Sequence, residues 1–528
     1  PGLRGVASID RLTVRGPLAG PVRVRAWRRE DDTLTVVVDA DGVTSDDDSP
    51  ADGAGAAEPL LVAEGLRLRH PHEERLPAAA VELRAHEMRW QPVAGSQRVA
   101  ALGAAAGGWL IHSVDEVVAR RWHEQLALAG VPAFVLVPAG EAAAADDGFL
   151  TLDTESDDPF EPVAKEVARQ GGTVAGLLLH SGGLGERAFA VVRGFLRACA
   201  EQRPALVVCS SAGSPMPHPG DGLAAALTRT VAWEHPALRC VSVELDGARA
   251  VPDAVDVLGR ATQLAGSGRL SVRDGRWYEA RLRERPLTDA KPRDHRLLRT
   301  GGTCLVIGSG PEVAAAADWL LARGTASVTR VENDADQVAA AIDEAGTNLR
   351  CAVYLPRPGP NRPVAGWEPA LFARALERTT AVPRLLYAHA AALDLLILCA
   401  PVATLPGQAG SAVETAAAEY TQALARRGRD AGLATISVSG GPWQEGDGHP
   451  GAGAELAARG LHPAPIAAVL DAVVAALDDA AAHVAPARAD WSRYHTAAAR
   501  TVPYVPLLAT AEAETKTVGF GQGNSDPG

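Results

Sequence analysis

Two glycines at a strand-to-helix turn are the first residues in this sequence that could bind a cofactor. The segment GTCLVIGSGPEVAAAADWLL places Gly308 and Gly310 where an apolar run ends and an Ala-rich helical pattern begins. Glycines at such a turn let a pyrophosphate approach the backbone at a helix N-terminus. The third glycine of that fingerprint is replaced by Ala314, so the signal for a dinucleotide site is weak.

The acidic segment VENDAD, which follows the next apolar run, weakens the signal further. One acid at this position could hold the ribose of NAD, whereas the 2′-phosphate of NADP calls for an Arg. Glu332 and Asp334 would repel that phosphate. The sequence therefore predicts that NADP is not bound here.

Other nucleophilic or basic side chains in the chain have simpler interpretations. Ser210, Ser211 and Ser214 follow an apolar run, and His218 is close by. A hydrolase of this type would need G-x-S-x-G, which is absent from the chain, so a capping loop is the favoured interpretation. His180 precedes Ser-Gly-Gly-Leu-Gly, which is typical of a turn. No cluster of His, Cys or acidic residues has the spacing of metal ligands.

The cysteines indicate a reducing environment rather than a redox or metal site. No two of the six form a CxxC pair, and several lie inside apolar runs such as LVVCS and LILCA. We expect small buried hydrophobic residues in a cytoplasmic protein. The cysteines are Cys199, Cys209, Cys240, Cys304, Cys351 and Cys399.

Composition places the chain among globular proteins and excludes two classes of partner. Its 528 residues are 47% hydrophobic, enough for several domains. The 51 Lys and Arg against 64 Asp and Glu leave a net charge of −13, which is unsuited to nucleic acid. The longest uncharged stretch, 395–413, is interrupted by Pro and Gly, so no membrane-spanning helix is expected. No signal peptide is apparent, and both ends are interpreted as cut from a longer polypeptide.

The elements that must position these residues fall into two patterns. Residues 1–85 alternate apolar and polar side chains as half-buried strands do, with an acidic loop at 43–58. Beyond that, short apolar runs alternate with Ala-rich amphipathic helices, and a second such series starts near 300. This pattern predicts an α/β fold with two tandem Rossmann-like, doubly wound parallel-sheet subdomains after a small β-rich segment. The predicted domains are 1–85, 86–290, 291–508, and a flexible linker at 509–528.

Several segments in a fixed order resemble the ketoreductase region of modular type I polyketide synthases. They are EMRWQPV, AAALTRTVAWEHPALRCVSVELD with its Glu234-His235-Pro236, SVRDGRWYEARL, LDLLILCAP, LATISVSGGPW, GLHPAPIAAVLDAVVAAL and ARADWSRYHTAAA. In that family a non-catalytic structural subdomain precedes a catalytic subdomain of the short-chain dehydrogenase type. Residues 1–85 more faintly resemble the last part of a dehydratase double hot dog, the usual upstream neighbour.

The resemblance identifies the positions at which the family carries its catalytic residues. Counting back 29 residues from Trp443 without a gap, the family's Tyr corresponds to Glu414. The family's Ser then corresponds to Pro401 and its Asn to Ala418. The nearest counterpart of its Lys is Arg378.

The cofactor-binding segments also depart from the family pattern. The family's loop reads like TGGTGALG, whereas this chain has IGSGPEVA, with Pro311 and Ala314 at the third and fourth glycines. The Arg that grips the 2′-phosphate corresponds to Asn333 or Asp334, and the His-Ala-Ala-Gly strand end corresponds to 354–357. The interval between VENDAD and CAVY is short by roughly one strand and one helix.

These replacements predict a domain without catalytic residues and without a cofactor. Ketone reduction needs a proton donor, which the family's Tyr supplies, and Pro401 has no donor while an ionised Glu414 only accepts. Tyr420 lies outside the 29-residue count. The expected role is architectural, in contact with neighbouring synthase domains and the acyl carrier protein and dimeric through the whole synthase. The alternative remains open: an NADPH-dependent β-ketoacyl reductase with unusual residues, or an epimerase with Glu414 as base.

Overall fold

The computed structural model describes most of the chain and divides it into two compact units between Ala78 and Ala79. The described residues are 6–8, 11–14, 22–28, 34–40, 61–68, 81–93, 107–138, 148–153, 159–170, 172–212, 220, 222–246, 252–264, 267–286, 301–356, 359, 361–446, 456–479 and 481–494. The predicted acidic loop at 43–58 and the predicted linker at 509–528 lie outside them.

The first unit contains an antiparallel sheet, as the alternating sequence pattern predicts. Its strands pair in the order β1-β5-β4-β3, with β2 also on β5. The described strands are β1 (Val6–Ser8), β2 (Arg11–Val14), β3 (Val22–Arg28), β4 (Leu34–Ala40) and β5 (Leu61–Leu68). The resemblance of this unit to the end of a dehydratase stays a prediction.

The second unit opens with a half made of alternating strands and helices. Its first strand begins at Leu83, three residues before the domain start expected at 86. The elements of this first half are β6 (Leu83–Pro92), β7 (Gly108–Ser113), α1 (Glu116–Leu128), β8 (Ala133–Pro138), β9 (Phe149–Leu152), α2 (Glu161–Arg169), β10 (Val174–His180), α3 (Arg187–Cys199), β11 (Ala205–Ala212), α4 (Leu223–Glu234), β12 (Arg239–Asp246), α5 (Ala254–Gln263), β13 (Gly268–Arg273) and β14 (Arg276–Arg285).

A second half with the same alternation follows. Pro311 and Pro369 open two of its helices, a position where the missing N–H of proline costs nothing. The elements of this second half are β15 (Thr303–Ile307), α6 (Pro311–Leu321), β16 (Ser327–Val331), α7 (Ala335–Ala345), β17 (Leu349–Tyr354), α8 (Pro369–Ala388), β18 (Leu395–Pro401), α9 (Ala412–Asp430), β19 (Thr435–Gly440), β20 (Leu461–His462), α10 (Ile466–Asp478) and β21 (His483–Ala489).

The strands of both halves join in one continuous sheet. Its order is β16-β15-β17-β18-β19-β21-β6-β14-β13-β12-β11-β10-β7-β8-β9. Within each half the crossover strands are parallel, and the antiparallel pairs β21–β6, β6–β14 and β14–β13 connect the halves. The predicted fold class, two tandem Rossmann-like subdomains, is therefore confirmed, and the two subdomains share a sheet.

The two halves differ at their outer edges. In the first half β8 and then β9 lie beyond β7, whereas in the second half the described sheet ends at β16, beside β15. Only α7 connects β16 to the next strand, β17. This agrees with the short interval seen in the sequence. The crevice where strand order reverses lies between β15 and β17, the place where Rossmann-like sheets bind ligands.

Side chains from both halves pack in one apolar core. Phe189 of α3 stacks on Phe372 of α8 with ring centroids 3.9 Å apart, and Trp367 meets Phe372 edge-on. All three rings are buried. Aromatic pairs of this kind contribute roughly 0.5–1.5 kcal/mol beyond their burial. The first half therefore buries apolar surface of the second half directly.

A buried ionic cluster also connects the halves. Glu419 of α9 accepts from Arg229 of α4 at 2.9 Å and from Arg269 of β13 at 3.2 Å, and Arg269 reaches Glu244 at 3.2 Å. Burial alone would raise the pKa of Glu419, but Arg269 and Arg229 lower it to about 2. The carboxylate is therefore ionised at neutral pH, and both of its ion pairs, with Arg229 and Arg269, cross the contact between the halves.

One strand that the alternating pattern predicts in the first half stays a prediction. The apolar run RVAALGA at 98–104, expected to open the parallel sheet, lies outside the described residues. The strand at that place in the sheet is β7, GWLIHS, which was not among the predicted runs. Among the helices that the structure describes, none combines the length and the apolar character needed to cross a membrane.

Candidate functional site

A cavity of about 420 Å³ opens at the carboxyl ends of β17, β18 and β19, between the first turns of α6 and α9. Its apolar wall includes Val402, Pro442, Trp443 and Leu456. The polar side chains described in its lining are Glu312, Asn361, Thr404, Gln408, Ser411 and Glu414. No described lining residue is Lys, Arg or His, so the cavity presents two acids without a basic residue.

Pro401 and Glu414, which the sequence analysis assigned to the family's Ser and Tyr positions, both line this cavity. Pro401 ends β18 and has no side-chain donor, and its carbonyl accepts from Thr404 Oγ1 at 2.6 Å. Glu414 lies in the first turn of α9, where its Oε1 accepts from the Gly359 N–H at 2.7 Å. No described residue donates to Glu414 Oε2. Burial raises the pKa of Glu414.

The other two positions carried over from the family lie apart from the cavity. Ala418 is buried one turn further along α9 and brings no polar group. Arg378 is exposed on α8 and does not line the cavity. Tyr420, also on α9, is buried in the core beside Leu424 and likewise does not line the cavity.

The hydroxyl groups in the cavity already donate to backbone carbonyls. Thr404 Oγ1 donates to Pro401, and Ser411 Oγ donates to the carbonyl of Gln408 at 2.7 Å. Ser411 Oγ also lies 3.2 Å from Thr415 Oγ1. Either hydroxyl would have to break its bond to the backbone carbonyl before it could donate a proton to a ligand in the cavity.

The glycine loop holds an acid that the sequence comparison did not single out. Gly308 follows β15, and Gly310 caps α6 with φ at +123°, in the region that favours glycine. The buried side chain of Glu312 folds back over Gly310, so a Cβ there would lie 2.5 Å from Glu312 Oε2 and 2.6 Å from Oε1. The only sequence signal was an acid in the first turn after the glycines.

A second depression, an open groove of about 600 Å³, lies on the other side of Gly310. Gly308 and Gly310 line it together with Arg330, Glu332 and Glu344. Two acids therefore face one Arg in this groove. The next two residues of VENDAD, Asn333 and Asp334, do not line the groove.

Asn333 and Asp334, at the family's Arg position, make contacts within the fold. Asn333 Nδ2 donates to Tyr354 Oη at 3.4 Å. Asp334 caps α7 by accepting from the N–H groups of Asp336 and Gln337 at 3.1 and 3.0 Å. Neither side chain supplies the positive charge that a 2′-phosphate requires.

The residues of these two depressions do not fit NADPH, the cofactor that the fold suggests. The pyrophosphate would have to lie on the N-terminus of α6, where the carboxylate of Glu312 covers Gly310. The 2′-phosphate would face Glu332. Each phosphate would therefore have an acid beside it, and Arg330 is the one basic residue among the described lining residues of the groove.

Glu234, from the Glu-His-Pro segment of the first half, supports two loops of the cavity. Its Oε2 accepts from the Val364 N–H at 2.8 Å and its Oε1 from the Gly410 N–H at 2.9 Å. Trp233 Nε1 donates to the carbonyl of Pro406 at 3.1 Å. These loops carry lining residues such as Gln408. The end of α4, which belongs to the first half, therefore holds in place part of a cavity lined by the second half.

The remaining candidate residues form no second site among the residues that the structure describes. His180 Nδ1 lies 3.0 Å from Ser113 Oγ, and both are buried at the ends of parallel strands. Ser214 and His218 lie outside the described residues. All six cysteines are buried, and none of them forms a disulfide. No described group of His, Cys, Asp or Glu side chains could hold a metal ion.

Comparisons with known proteins agree with this architecture. Residues 329–445 match the family model described as "KR domain". A polyketide synthase of Streptomyces halstedii, GfsA, is 29% identical over 275 residues, which cover 46% of this chain. The chain spans 4% of the length of that relative.

Solved ketoreductase structures share the fold over most of the chain. An A-type ketoreductase from a modular polyketide synthase superposes with a TM-score of 0.65 at 18% identity, covering 83% of this chain and 99% of its own. A C2-type ketoreductase from a modular polyketide synthase gives 0.64 at 22% identity, with 82% and 98% covered. The first ketoreductase of the tylosin synthase gives 0.60 at 19% identity, with 83% and 99% covered.

Proposed function

We propose that this chain is a non-catalytic, ketoreductase-like domain of a type I polyketide synthase, which leaves the β-keto group of the growing chain unreduced. The observation that carries the proposal is the pair Pro401 and Glu414, which line one cavity where a ketoreductase needs two hydroxyl donors. The matching family model over 329–445 supports the ketoreductase ancestry.

The chemistry of ketone reduction explains why this pair matters. Hydride addition turns the carbonyl oxygen into an alkoxide, which a positioned donor must protonate and stabilise. Pro401 offers no donor, and an ionised Glu414 would repel the developing charge. Glu312 and Glu332 also oppose the phosphates of NADPH, which supports the absence of a hydride source as well as of a proton source.

Cofactor binding tests the proposal directly. NADPH is titrated into the purified chain by calorimetry and fluorescence, and its consumption is followed with a diketide thioester. We expect no binding and no turnover, while an active ketoreductase measured in parallel shows both. Micromolar binding of NADPH, about −8 kcal/mol, would contradict the proposal.

A second candidate function is epimerisation at the α-carbon of a β-ketoacyl thioester. It is favoured by Glu414, because a partly buried carboxylate with a raised pKa and one oxygen to which no described residue donates suits a general base. A 2-methyl-3-oxo thioester incubated in D₂O distinguishes the candidates. We expect no deuterium uptake above the uncatalysed rate, whereas uptake that Glu414→Gln abolishes would favour the epimerase.

The architectural role concerns neighbouring synthase domains and the acyl carrier protein, with dimerisation through the whole synthase. Its support is the extended sheet, which joins both halves into one body that can hold neighbours apart. In the full synthase we expect Glu414→Ala to leave the product unchanged and replacement of residues 79–508 by a flexible linker to lower its yield at least tenfold. An undiminished yield after that replacement would contradict the architectural role.

A further inference from the structure

Glu312 stands between the two depressions that a bound dinucleotide would have to connect. The groove beside β16 is lined by the backbone of Gly308 and Gly310, whereas the cavity beside β18 is lined by Glu312. In a Rossmann-like site the pyrophosphate of a dinucleotide lies at the helix N-terminus, which here is the start of α6 beside Gly310. That position is where the Glu312 carboxylate lies, with both oxygens within 2.6 Å of the Cβ position of Gly310.

The position of this carboxylate is one that the fold itself favours. Glu312 lies in the first turn of α6, where the helix dipole and the N–H groups at the helix start attract negative charge. The same forces bind pyrophosphate in dinucleotide sites. A side-chain carboxylate and a ligand phosphate therefore compete for the same position. The side chain has the advantage, because it is part of the chain and needs no binding from solution.

We propose that Glu312 acts as a built-in anion that closes the pyrophosphate cradle, so that this one residue determines the exclusion of dinucleotides. The groove on one side and the cavity on the other persist as separate depressions of about 600 and 420 Å³. The inference rests on the proposed function and deepens it, because it identifies the residue that excludes the cofactor. It makes no claim about the proton-donor positions Pro401 and Glu414.

Removal of the side chain is expected to open the cradle. Glu312→Ala leaves the glycines, the α6 N-terminus and both depressions in place, and it removes both the bulk and the charge over Gly310. The expected ligands carry a pyrophosphate but no 2′-phosphate, because Glu332 lines the ribose end of the groove. NADH and ADP-ribose are therefore the probes.

Binding is measured by calorimetry for ADP-ribose and by fluorescence for NADH, without reference to any reaction. We expect no binding to the unmodified chain at 1 mM probe and submillimolar binding to Glu312→Ala, a gain of at least tenfold. Glu312→Gln, which keeps the bulk and removes the charge, is expected to gain less than Glu312→Ala. An unchanged circular dichroism spectrum and melting temperature confirm that each variant is folded.

The matched control is Glu344→Ala, which removes an acid from the same groove away from Gly310. We expect no gain from it. Equal gains from Glu344→Ala and Glu312→Ala would overturn the proposal, because the charge of the groove would then decide binding. No gain in folded Glu312→Ala, or equal binding by the unmodified chain, would overturn it too. Absence of a gain leaves the proposed function intact, since NADPH binding by the unmodified chain tests that separately.

Discussion

Two acids, the buried Glu312 and the partly buried Glu414, make the polar lining of the cavity acidic. Each lies in the first turn of a helix, α6 or α9, where negative charge is favoured by the helix dipole. No described lining residue supplies a positive charge to either of them. A site that must bind phosphates and stabilise an alkoxide needs the opposite polarity. The proposed loss of reduction therefore rests on two separate residues of the cavity.

Replacing Glu414 by Gln should stabilise the protein at neutral pH. Burial raises the pKa of Glu414, so its contribution to stability is present below the ordinary value of 4.5 and is lost as the pH rises through the folded value. The amide keeps an acceptor for the Gly359 N–H and removes the charge. We expect the melting temperature to rise by roughly 1–2 °C at pH 7 and not at pH 4.

The exposed Glu332→Gln serves as the control for that measurement and should leave the melting temperature unchanged at both pH values. An equal rise for Glu414→Gln at pH 4 and pH 7 would show that the carboxylate charge is not the cause.

Restoring the two hydroxyls should not restore reduction. The double substitution Glu414→Tyr and Pro401→Ser supplies the proton donors, but hydride delivery also needs a bound, oriented cofactor. Orientation alone accounts for roughly 7–11 kcal/mol of such a barrier. NADPH consumption with a diketide thioester is expected to stay at the level of the unmodified chain. Clear turnover would mean that the cofactor site is intact, and the vestigial interpretation of the 308–314 loop would be withdrawn.

At the scale of elements, the end of α4 positions two loops of a cavity that belongs to the other half. Glu234 accepts from the N–H groups of Val364 and Gly410, which lie on separate loops. Burial raises the pKa of this acid, although the two N–H groups act in the opposite direction. The hydrogen bonds from both loops therefore hold the carboxylate of Glu234 in its partly buried position.

Glu234→Ala should loosen both loops. The substitution leaves the Val364 and Gly410 N–H groups without their acceptor, a loss of about 1–3 kcal/mol for each buried donor. We expect faster hydrogen exchange at 361–366 and 405–411, measured by mass spectrometry, and unchanged exchange in α1. Glu234→Gln, which keeps one acceptor oxygen and places an amide N–H2 donor against the second N–H group, should fall between. Unchanged exchange at both loops in Glu234→Ala would contradict the role of this carboxylate.

The ionic cluster on α9 predicts a defined acid sensitivity. The pKa of Glu419 lies at about 2, below its ordinary value of 4.5, so its stabilisation is present above 4.5 and is lost as the pH falls toward 2. Glu419→Gln leaves Arg229 without its counter-charge and Arg269 with Glu244 as its remaining acidic partner, and breaking such a buried pair costs about 3–5 kcal/mol at neutral pH.

Chemical denaturation as a function of pH checks this sensitivity. The stability difference between the unmodified chain and Glu419→Gln should be largest at pH 7 and should shrink between pH 4.5 and 2. A difference that is independent of pH would mean that packing, and not charge, connects α9 to the first half.

At the scale of the whole molecule, the two halves of the second unit should behave as one body. The antiparallel strands β6, β14 and β21 connect the parallel strands of one half to those of the other. Separation would expose the paired edges of these strands and the aromatic contact between α3 and α8. We therefore expect the halves to stay associated even when the chain between them is cut.

Limited proteolysis tests this association. We expect the first cuts at 43–58 and after 508, with residues 81–494 recovered as one particle by size-exclusion chromatography. Early cleavage between 286 and 298 followed by separate elution of the two halves would contradict the prediction. A cut in that interval without separation would agree with it.

The alternation of strands and helices was determined by the sequence itself. Strands buried on both faces, such as LLILCAP of β18, are continuous apolar runs, and amphipathic helices lie between them, so the local pattern indicates the fold class. The assignment of Pro401 and Glu414 to the family's Ser and Tyr positions rested on the resemblance, with a count of residues along one half of the chain. The structure places these two residues in one cavity, where their roles stay a prediction. The strand β7 was missed because an Ala- and Gly-rich segment before it carries a competing apolar run.

What only the tertiary structure decided are the contacts between residues far apart in the chain. The pairing of β6 with β21, the support of two loops by Glu234 and the two arginines on Glu419 each join segments more than 100 residues apart. Local periodicity carries no information on such partners. The direction of the Glu312 side chain belongs to the same class: its residue type was readable, but its fold over Gly310 depends on the packing of α6 against β15 and β16.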